Sequence, residues 1–416
     1  MIESSPFAEH RSMNRSMARF SSAAAAGPAL VLIAAAVAMA QPSGGPFAER
    51  ARAALAEPFV GLTTDGEPEP GLFDIESTGV STEPVRRAAL ALLDALTAAQ
   101  RERMSFAVDD QEWRNWANIH RFPREGVSLE EMTAAQREAA YDLLRSGLSA
   151  KGYGTARDIM RLNHHLAELV DNFDEYGEHL YYFTIMGEPS ATEPWGWQLD
   201  GHHLIVNYFV LGDQVVMTPT FMGSEPVAAH SGRYAGTSIL EAEQRLAVEL
   251  MRSLDAEQQR RAMLPGTKSR GENLAEMFRD NVRVPLEGIP ATALDREQRE
   301  RLTALIGAYV GNMDDGHAAV RMDEIRAHLD RTHFAWKGEV GPEGVFYYRI
   351  FSPVVYIEFD HQGPTALAGP RDVATRNHIH SVIRTPNGND YGRNLLRQHY
   401  EAYRGDAQHG HAADSP

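Results

Sequence analysis

The sequence predicts an α+β fold, a mainly antiparallel sheet packed by helices on one side. Three observations carry this. Four stretches have the pattern of a helix start, an apolar residue, then Thr or Asp, then Gln three positions on: Leu96–Gln100, Met132–Gln136, Leu254–Gln258 and Leu294–Gln298. The cap oxygen satisfies a free helix N–H, and the Gln reaches back to the cap. Runs rich in β-branched and aromatic residues, bounded by turn-forming residues, gather in two separate regions. The order along the chain is helices, strands, helices, strands.

The elements follow in order. Arg11, Arg15 and Arg19 precede an apolar run, Ala29–Met39, that closes on Ala38-Met39-Ala40 before Gln41. A basic region, a short apolar core and a small-residue cleavage site read as a secretory signal over residues 1–40, and the run is too short and Ala-rich for a comfortable membrane span. The mature protein is then expected in the periplasm or outside the cell. Residues 41–83, rich in Pro, Gly, Thr and acidic side chains, link or wrap, with a short helix at Pro46–Ala56. Residues 84–404 form one α+β domain with halves at roughly 84–236 and 237–404, and 405–416 a polar, disordered tail that includes His409 and His411.

Within that domain the pattern is helical from Pro84 to Phe173 around a Trp-rich segment, Trp113–Phe122. Strands follow at His179–Met186 and across Trp195–Thr220, where His202–Leu211 and Gln214–Thr220 join as a hairpin through Gly212-Asp213. Helices return at Ser238–Leu254, Ala256–Met263, Leu274–Asp280, Asp295–Gly311 and His317–His328, then strands at Thr332–Trp336, Val345–Phe351, Val354–Asp360 and His378–Ile383. Tyr181–Ile185 resembles Tyr347–Ile350, and Trp197–Asp200 resembles Ile357–Asp360. An internal duplication of a helices-then-strands unit would produce this.

Composition excludes several classes of function. A net charge of −17 with no long basic run argues against nucleic acid or an anionic membrane as the main partner. With no cysteine there is no disulfide, thiolate nucleophile or thiolate-held metal. The zinc-protease H-E-x-x-H, the lipase G-x-S-x-G, the phosphate-binding Walker loop and the dinucleotide fingerprint are all absent. A metal must therefore be held by His, Asp, Glu or backbone oxygen.

Two stretches offer such ligands. On an extended His202–Leu211, side chains alternate, so His202 and His203 face opposite sides and Asn207 shares the face of His203. A second polar group on that face favours His203 as a site residue. In Asn377-His378-Ile379-His380, the H-x-H spacing puts both imidazoles on one strand face within reach of one ion. Val382 and Arg384 continue that face, while upstream Glu358 and Asp360 share another, so neutral imidazoles stand near anionic oxygens. The plainer reading is a hydrogen-bonded His/Asp/Arg network that holds the sheet. Arg349, among aromatics, needs a carboxylate, and Glu358 is the natural partner; otherwise it clamps a substrate anion. Arg384 with Asp390 offers the same two readings. Trp195 and Trp197 share a face and could line a ligand groove, whereas Trp113, Trp116 and Trp336 read as core.

These residues carry a resemblance. W-x-W-x-x-x-G-H-H-L-x-x-N from Trp195, T-P-x-F-x-G from Thr218, H-F-A-W from His333, Y-Y-R-I from Tyr347, I-E-F-D from Ile357, N-H-I-H-x-V from Asn377 and N-D-Y-G from Asn389 occur in that order. Together they are similar to the family called domain of unknown function 3500, over roughly Ala88 to Tyr403. The resemblance implies an exported bacterial protein and no particular activity. Its recurring polar positions fall on His202, His203, Asn207, Glu358, Asp360, His378, His380, Arg384 and Asp390, and Phe351 departs from it where a polar residue is expected.

The expected function is an exported metal-dependent enzyme. A divalent zinc, iron or copper ion is held by His203, His378 and His380, with Glu358 or Asp360 as ligand or base and Arg384 or Arg349 orienting an anionic group. Hydrolysis is favoured over oxidation, and the substrate is a small or extracellular molecule. The alternative is a non-catalytic exported binding protein with Trp195 and Trp197 in its groove, and Asn207, His202 and Asp390 fixing ligand orientation. The metal reading requires the imidazole nitrogens of the three histidines to converge within about 4 Å.

Overall fold

The computed structural model describes residues 46–403. The signal expected at 1–40 and the tail at 405–416, with His409 and His411, lie outside the described residues. After α1 (Pro46–Ala56) come α2 (Glu83–Ala95), α3 (Ala98–Met104), β1 (Ser105–Phe106), β2 (Val127–Ser128), α4 (Ala134–Gly147) and α5 (Ala150–Val170). Strands β3 (Tyr181–Met186), β4 (Trp195–Gly201), β5 (Leu204–Leu211), β6 (Gln214–Val216) and β7 (Thr220–Ser224) follow. A second series holds α6 (Glu241–Ser253), α7 (Ala256–Ala262), β8 (Ile289–Pro290), α8 (Arg296–Val310) and α9 (Asp315–Ala327). It ends with β9 (His333–Gly338), β10 (Phe346–Phe351), β11 (Tyr356–His361), β12 (Ile379–Arg384) and α10 (Arg393–Ala402). The fold is α+β.

All four helix starts are capping boxes, at Thr97/Gln100, Thr133/Gln136, Asp255/Gln258 and Asp295/Gln298. The Gln side chains also tie helices together. Gln136 Nε2 donates to Ala95 O and Gln100 Oε1, at 3.0 and 2.9 Å. Gln298 Nε2 donates to Ser253 O and Gln258 Oε1, at 2.9 and 2.8 Å. The same device occurs twice because the architecture does.

One sheet runs β1-β3-β4-β5-β7-β12-β11-β10-β9-β8, with β2 on β3 and β6 on β5. All pairings are antiparallel except β1 with β3. Read outward from the central β7–β12 pair, the two halves are equivalent: β5 with β11, β4 with β10, β3 with β9. Helices α2, α3, α4 and α5 match α6, α7, α8 and α9 in order, and β2 on β3 matches β8 on β9. Leu148 and Met313, each just before the last helix of its copy, pair with one another. The copies are therefore related by a pseudo-twofold through the β7–β12 pair. This corrects the sequence-based register, which matched β3 to β10 and β4 to β11: short strands rich in aromatic and β-branched residues look alike, and a period of two does not say which strand is which.

The two faces of the sheet are buried by different means. One presents Trp197, Tyr208, Tyr348 and Met222 to the helices; Trp197 stacks on Tyr208 at 5.2 Å beside Gly147 of α4, and Tyr348 reaches Tyr309 of α8. Such an aromatic pair is worth roughly 0.5–1.5 kcal/mol beyond the area it buries. The other face carries Gln198, Asn207, His380, Arg384, Glu358 and Asp360, all buried. It is covered by irregular backbone, whose N–H and C=O groups have no helix or strand partner and must find side chains. Glu358 accepts from Leu274 N and Ala275 N at 2.8 and 2.9 Å, and Asp360 from Glu272 N at 2.6 Å. Gln198 Nε2 donates to Trp113 O at 3.0 Å. A buried polar sheet face is thus the means by which loops are held down.

Three expectations are corrected here. Leu274–Asp280 is irregular rather than helical: Phe278 stands at φ +61, and Arg384 takes the carbonyls of Ala275 and Arg279. Gln214–Thr220 is not one strand: it breaks at Met217–Pro219, β6 stays on β5, and Thr220 opens β7, which lies between β5 and β12. His202–Leu211 is not one strand either. His202 and His203 form the turn between β4 and β5, and the hairpin at Gly212-Asp213 is a second one.

Candidate metal centre

His203 comes to the site through that turn. Its φ is +62, in the left-handed region that non-glycine residues rarely adopt and in which His is one of the enriched types. The alternation argument for opposed histidines does not apply to a turn, and the His202 and His203 rings stack at 4.0 Å. Asn207, whose shared face favoured His203, is engaged elsewhere, accepting from Gln198 at 2.7 Å and donating to Pro219 O at 2.8 Å. His380 is on β12 opposite Gly223 of β7, where a Cβ would stand 2.3 Å from Ile379 O, so glycine allows the close pairing that places it. His378 immediately precedes the strand.

Three Nε2 atoms meet. His378 and His380 are 3.0 Å apart, and each is 3.2 Å from His203. The other ring nitrogens fix the tautomers. His378 Nδ1 lies 2.8 Å from Gly363 O, which can only accept, so Nδ1 carries the proton and Nε2 presents a lone pair. His380 Nδ1 lies 2.6 Å from Glu276 Oε1, with the same consequence. Burial and the neighbouring histidines hold His203 and His378 well below the usual imidazole range, so both are neutral. Two bare lone pairs at 3.0 Å repel, and burial disfavours the extra proton that would relieve them. A metal cation satisfies all three at once: nitrogen ligands of one ion, each at about 2.0–2.1 Å, stand roughly 3 Å apart. The group could hold a metal ion. Glu276 on His380 and Gly363 O on His378 are the outer partners that orient metal-bound imidazoles. Asn118 closes the third side: its carbonyl accepts from His203 N at 3.2 Å, and its buried Oδ1 has no partner in the protein.

The remaining sequence-selected residues are placed elsewhere. Glu358 and Asp360 anchor loops, and Asp360 also pairs with Lys268 at 2.8 Å; neither joins the three-histidine group. Arg349 does not pair with Glu358, although the two stand opposite on β10 and β11; its guanidinium bonds Glu287 at 2.8 Å. Arg384 is fully buried with every nitrogen engaged, Nε on Asp390 at 2.7 Å, Nη2 on Asp280 at 2.5 Å, and Nη1 on Ala275 O and Arg279 O. Four of its five N–H groups are used in this way and the side chain is wholly buried, so it does not face a substrate, and Asp390 belongs to the same buried network. His202 Nδ1 donates to Asn163 Oδ1 at 2.8 Å, and its ring supports His203 from behind. Trp195 and Trp197 line no groove; both are wholly buried in the core. Glu276, Asn118 and Gly363 escaped sequence reading because each sits in an irregular segment with no periodicity or spacing to mark it.

No curated protein and no solved structure matches the chain. A family profile described as protein of unknown function (DUF3500) matches residues 78–393, a span that contains both strand regions and all three histidines. The chain therefore belongs to the DUF3500 family.

Proposed function

We propose that this protein is a metal-dependent enzyme, exported from the cell, that hydrolyses its substrate at an ion held by His203, His378 and His380. The observation that carries the reading is the convergence of three Nε2 atoms at 3.0–3.2 Å, at least two of them with the lone pair turned inward by an acceptor on Nδ1. Three neutral imidazoles leave an ion its full positive charge and leave coordination positions open, which suits Lewis-acid polarisation and acidification of water more than electron transfer. The protein's own contribution is to fix the rings: Gly363 O and Glu276 set tautomers, the strained turn sets His203, and the covering loops exclude bulk water. Export is supported by the basic and apolar segment over residues 1–40, and among the described residues no helix is long and apolar enough to cross a membrane.

Elemental analysis of protein purified without chelator tests the reading. We expect one equivalent of a divalent transition metal in the parent and none in His378→Ala/His380→Ala, with the variant still folded by circular dichroism. A metal-free parent that stays metal-free after reconstitution would overturn it.

A further inference from the structure

The three histidines are almost closed off by loops, yet one of their outer partners faces an open space. Glu276, bonded to His380, lines a cavity of about 530 Å³ between α1 and the segment Glu276–Val282. That volume falls in the range of small-molecule sites. A second large cavity, of about 460 Å³, is lined by Thr218 and Thr385, at the opposite end of β7 and β12 from His378, and does not reach the cluster.

The walls of the first cavity have a definite chemistry. Phe47, Met277 and Phe278 supply apolar surface, and Phe278 is held at φ +61, a strained conformation for an aromatic residue. Arg50 and Arg279 supply positive charge beside the carboxylates of Glu57 and Glu276, while Asp280 is held by Arg114 and Arg384. In a chain of net charge −17, most arginines of the described residues bond a carboxylate. Among the described residues these two form no ion pair: Arg279 bonds the carbonyls of Asn273 and Leu274, and the Arg50 guanidinium lies 5.6 Å from the centre of the Phe47 ring. The helix forming the far wall is fixed in place. Arg114, buried against Asp280, caps the end of α1 by donating to Ala54 O and Glu57 O at 2.7 and 2.9 Å.

Resting on the metal-enzyme reading, we propose that this cavity is an anion-binding site coupled to the histidine centre through Glu276, and that its ligand is an amphipathic anion. Its phosphate or carboxylate group meets Arg50 and Arg279, its apolar part lies on Phe47, Met277 and Phe278, and Glu276 separates it from His380.

The test uses phenylphosphonate as probe, titrated calorimetrically into the protein beside neutral benzamide, with metal content measured in every sample. We expect saturable 1:1 binding of phenylphosphonate, much weaker binding of benzamide, and a loss of about tenfold or more in Arg50→Gln/Arg279→Gln, as for charge-assisted bonds to an anion. Ala54→Trp, which fills the cavity from α1, should abolish binding while leaving metal content and melting temperature unchanged. No saturable binding to the parent, or equal binding in both variants, overturns the proposal. A parent without metal that still binds phenylphosphonate through Arg50 and Arg279 upholds the anion site and sinks the metal reading, so the two fail separately. Phosphate and acetate as competitors distinguish the two anionic classes.

Discussion

At the scale of single residues, the site depends on groups that do not touch the ion position. His203 is held in a left-handed turn at a cost of about 1–3 kcal/mol, which the β4–β5 pairing on either side offsets. Glu276 acts through His380 by keeping the proton on Nδ1. Glu276→Ala should lower metal affinity by roughly 10–100-fold without unfolding the chain, as loss of an outer partner commonly does. Glu276→Gln keeps an acceptor oxygen and should lose less. Competition against a chromogenic chelator measures both; equal affinity in parent and variants would show that the His380 tautomer is fixed by something other than Glu276. Only half of this arrangement is legible from sequence. H-x-H spacing brings His378, just before β12, and His380, within it, together because extended geometry is local, whereas His203 joins them through a turn the sequence presents as strand.

At the scale of elements, the polar face of the sheet and the irregular segments over it are one structure. Glu225, at the end of β7, is buried and accepts from Thr365, Ala366 and Leu367 N–H at 2.9–3.1 Å. It lies 3.8 Å from His378 and holds the segment whose Gly363 carbonyl sets that residue's tautomer. Glu225→Ala should free residues 364–376 without melting the sheet, because the released N–H groups can reach water. The expected cost is about 2–3 kcal/mol, with faster hydrogen exchange and proteolytic nicking confined to that segment. Unchanged exchange there would mean the segment is held by its other contacts. Helix starts were legible because a capping box is written within four residues. The loop at Leu274–Asp280 was not, since its N–H groups are held by Glu358 and its carbonyls by Arg384, some 80 to 110 residues on in sequence.

At the scale of the whole molecule, two equivalent halves carry one unequal site. His203 comes from the first copy and His378 and His380 from the second. The positions that the pseudo-twofold makes equivalent, the β10–β11 turn at Ser352–Val355 and the approach to β7 at Thr218–Phe221, contain no histidine. The repeat thus serves the scaffold, and the three-histidine group was built at one end. Because the two helix ties are the same device, Gln136→Ala and Gln298→Ala should each destabilise by about 1–2 kcal/mol. They share no partner, so the double variant should match the sum within about 0.5 kcal/mol in urea titration. A marked departure would show that the copies are coupled through the core and do not act as separate units.

The sequence by itself determined what is encoded locally: the α+β class, four capped helices, the H-x-H pair and the exclusion of thiolate chemistry. The tertiary structure decided everything that depends on distant segments meeting. It turned His202-His203 into a hairpin tip, brought Glu276 and Gly363 to the imidazoles, and took Glu358, Asp360, Arg384 and both site-candidate tryptophans into the interior. The physical reason is that buried polar groups must be satisfied by whatever backbone the fold lays over them, and pairing across 100 residues or more leaves no mark on spacing.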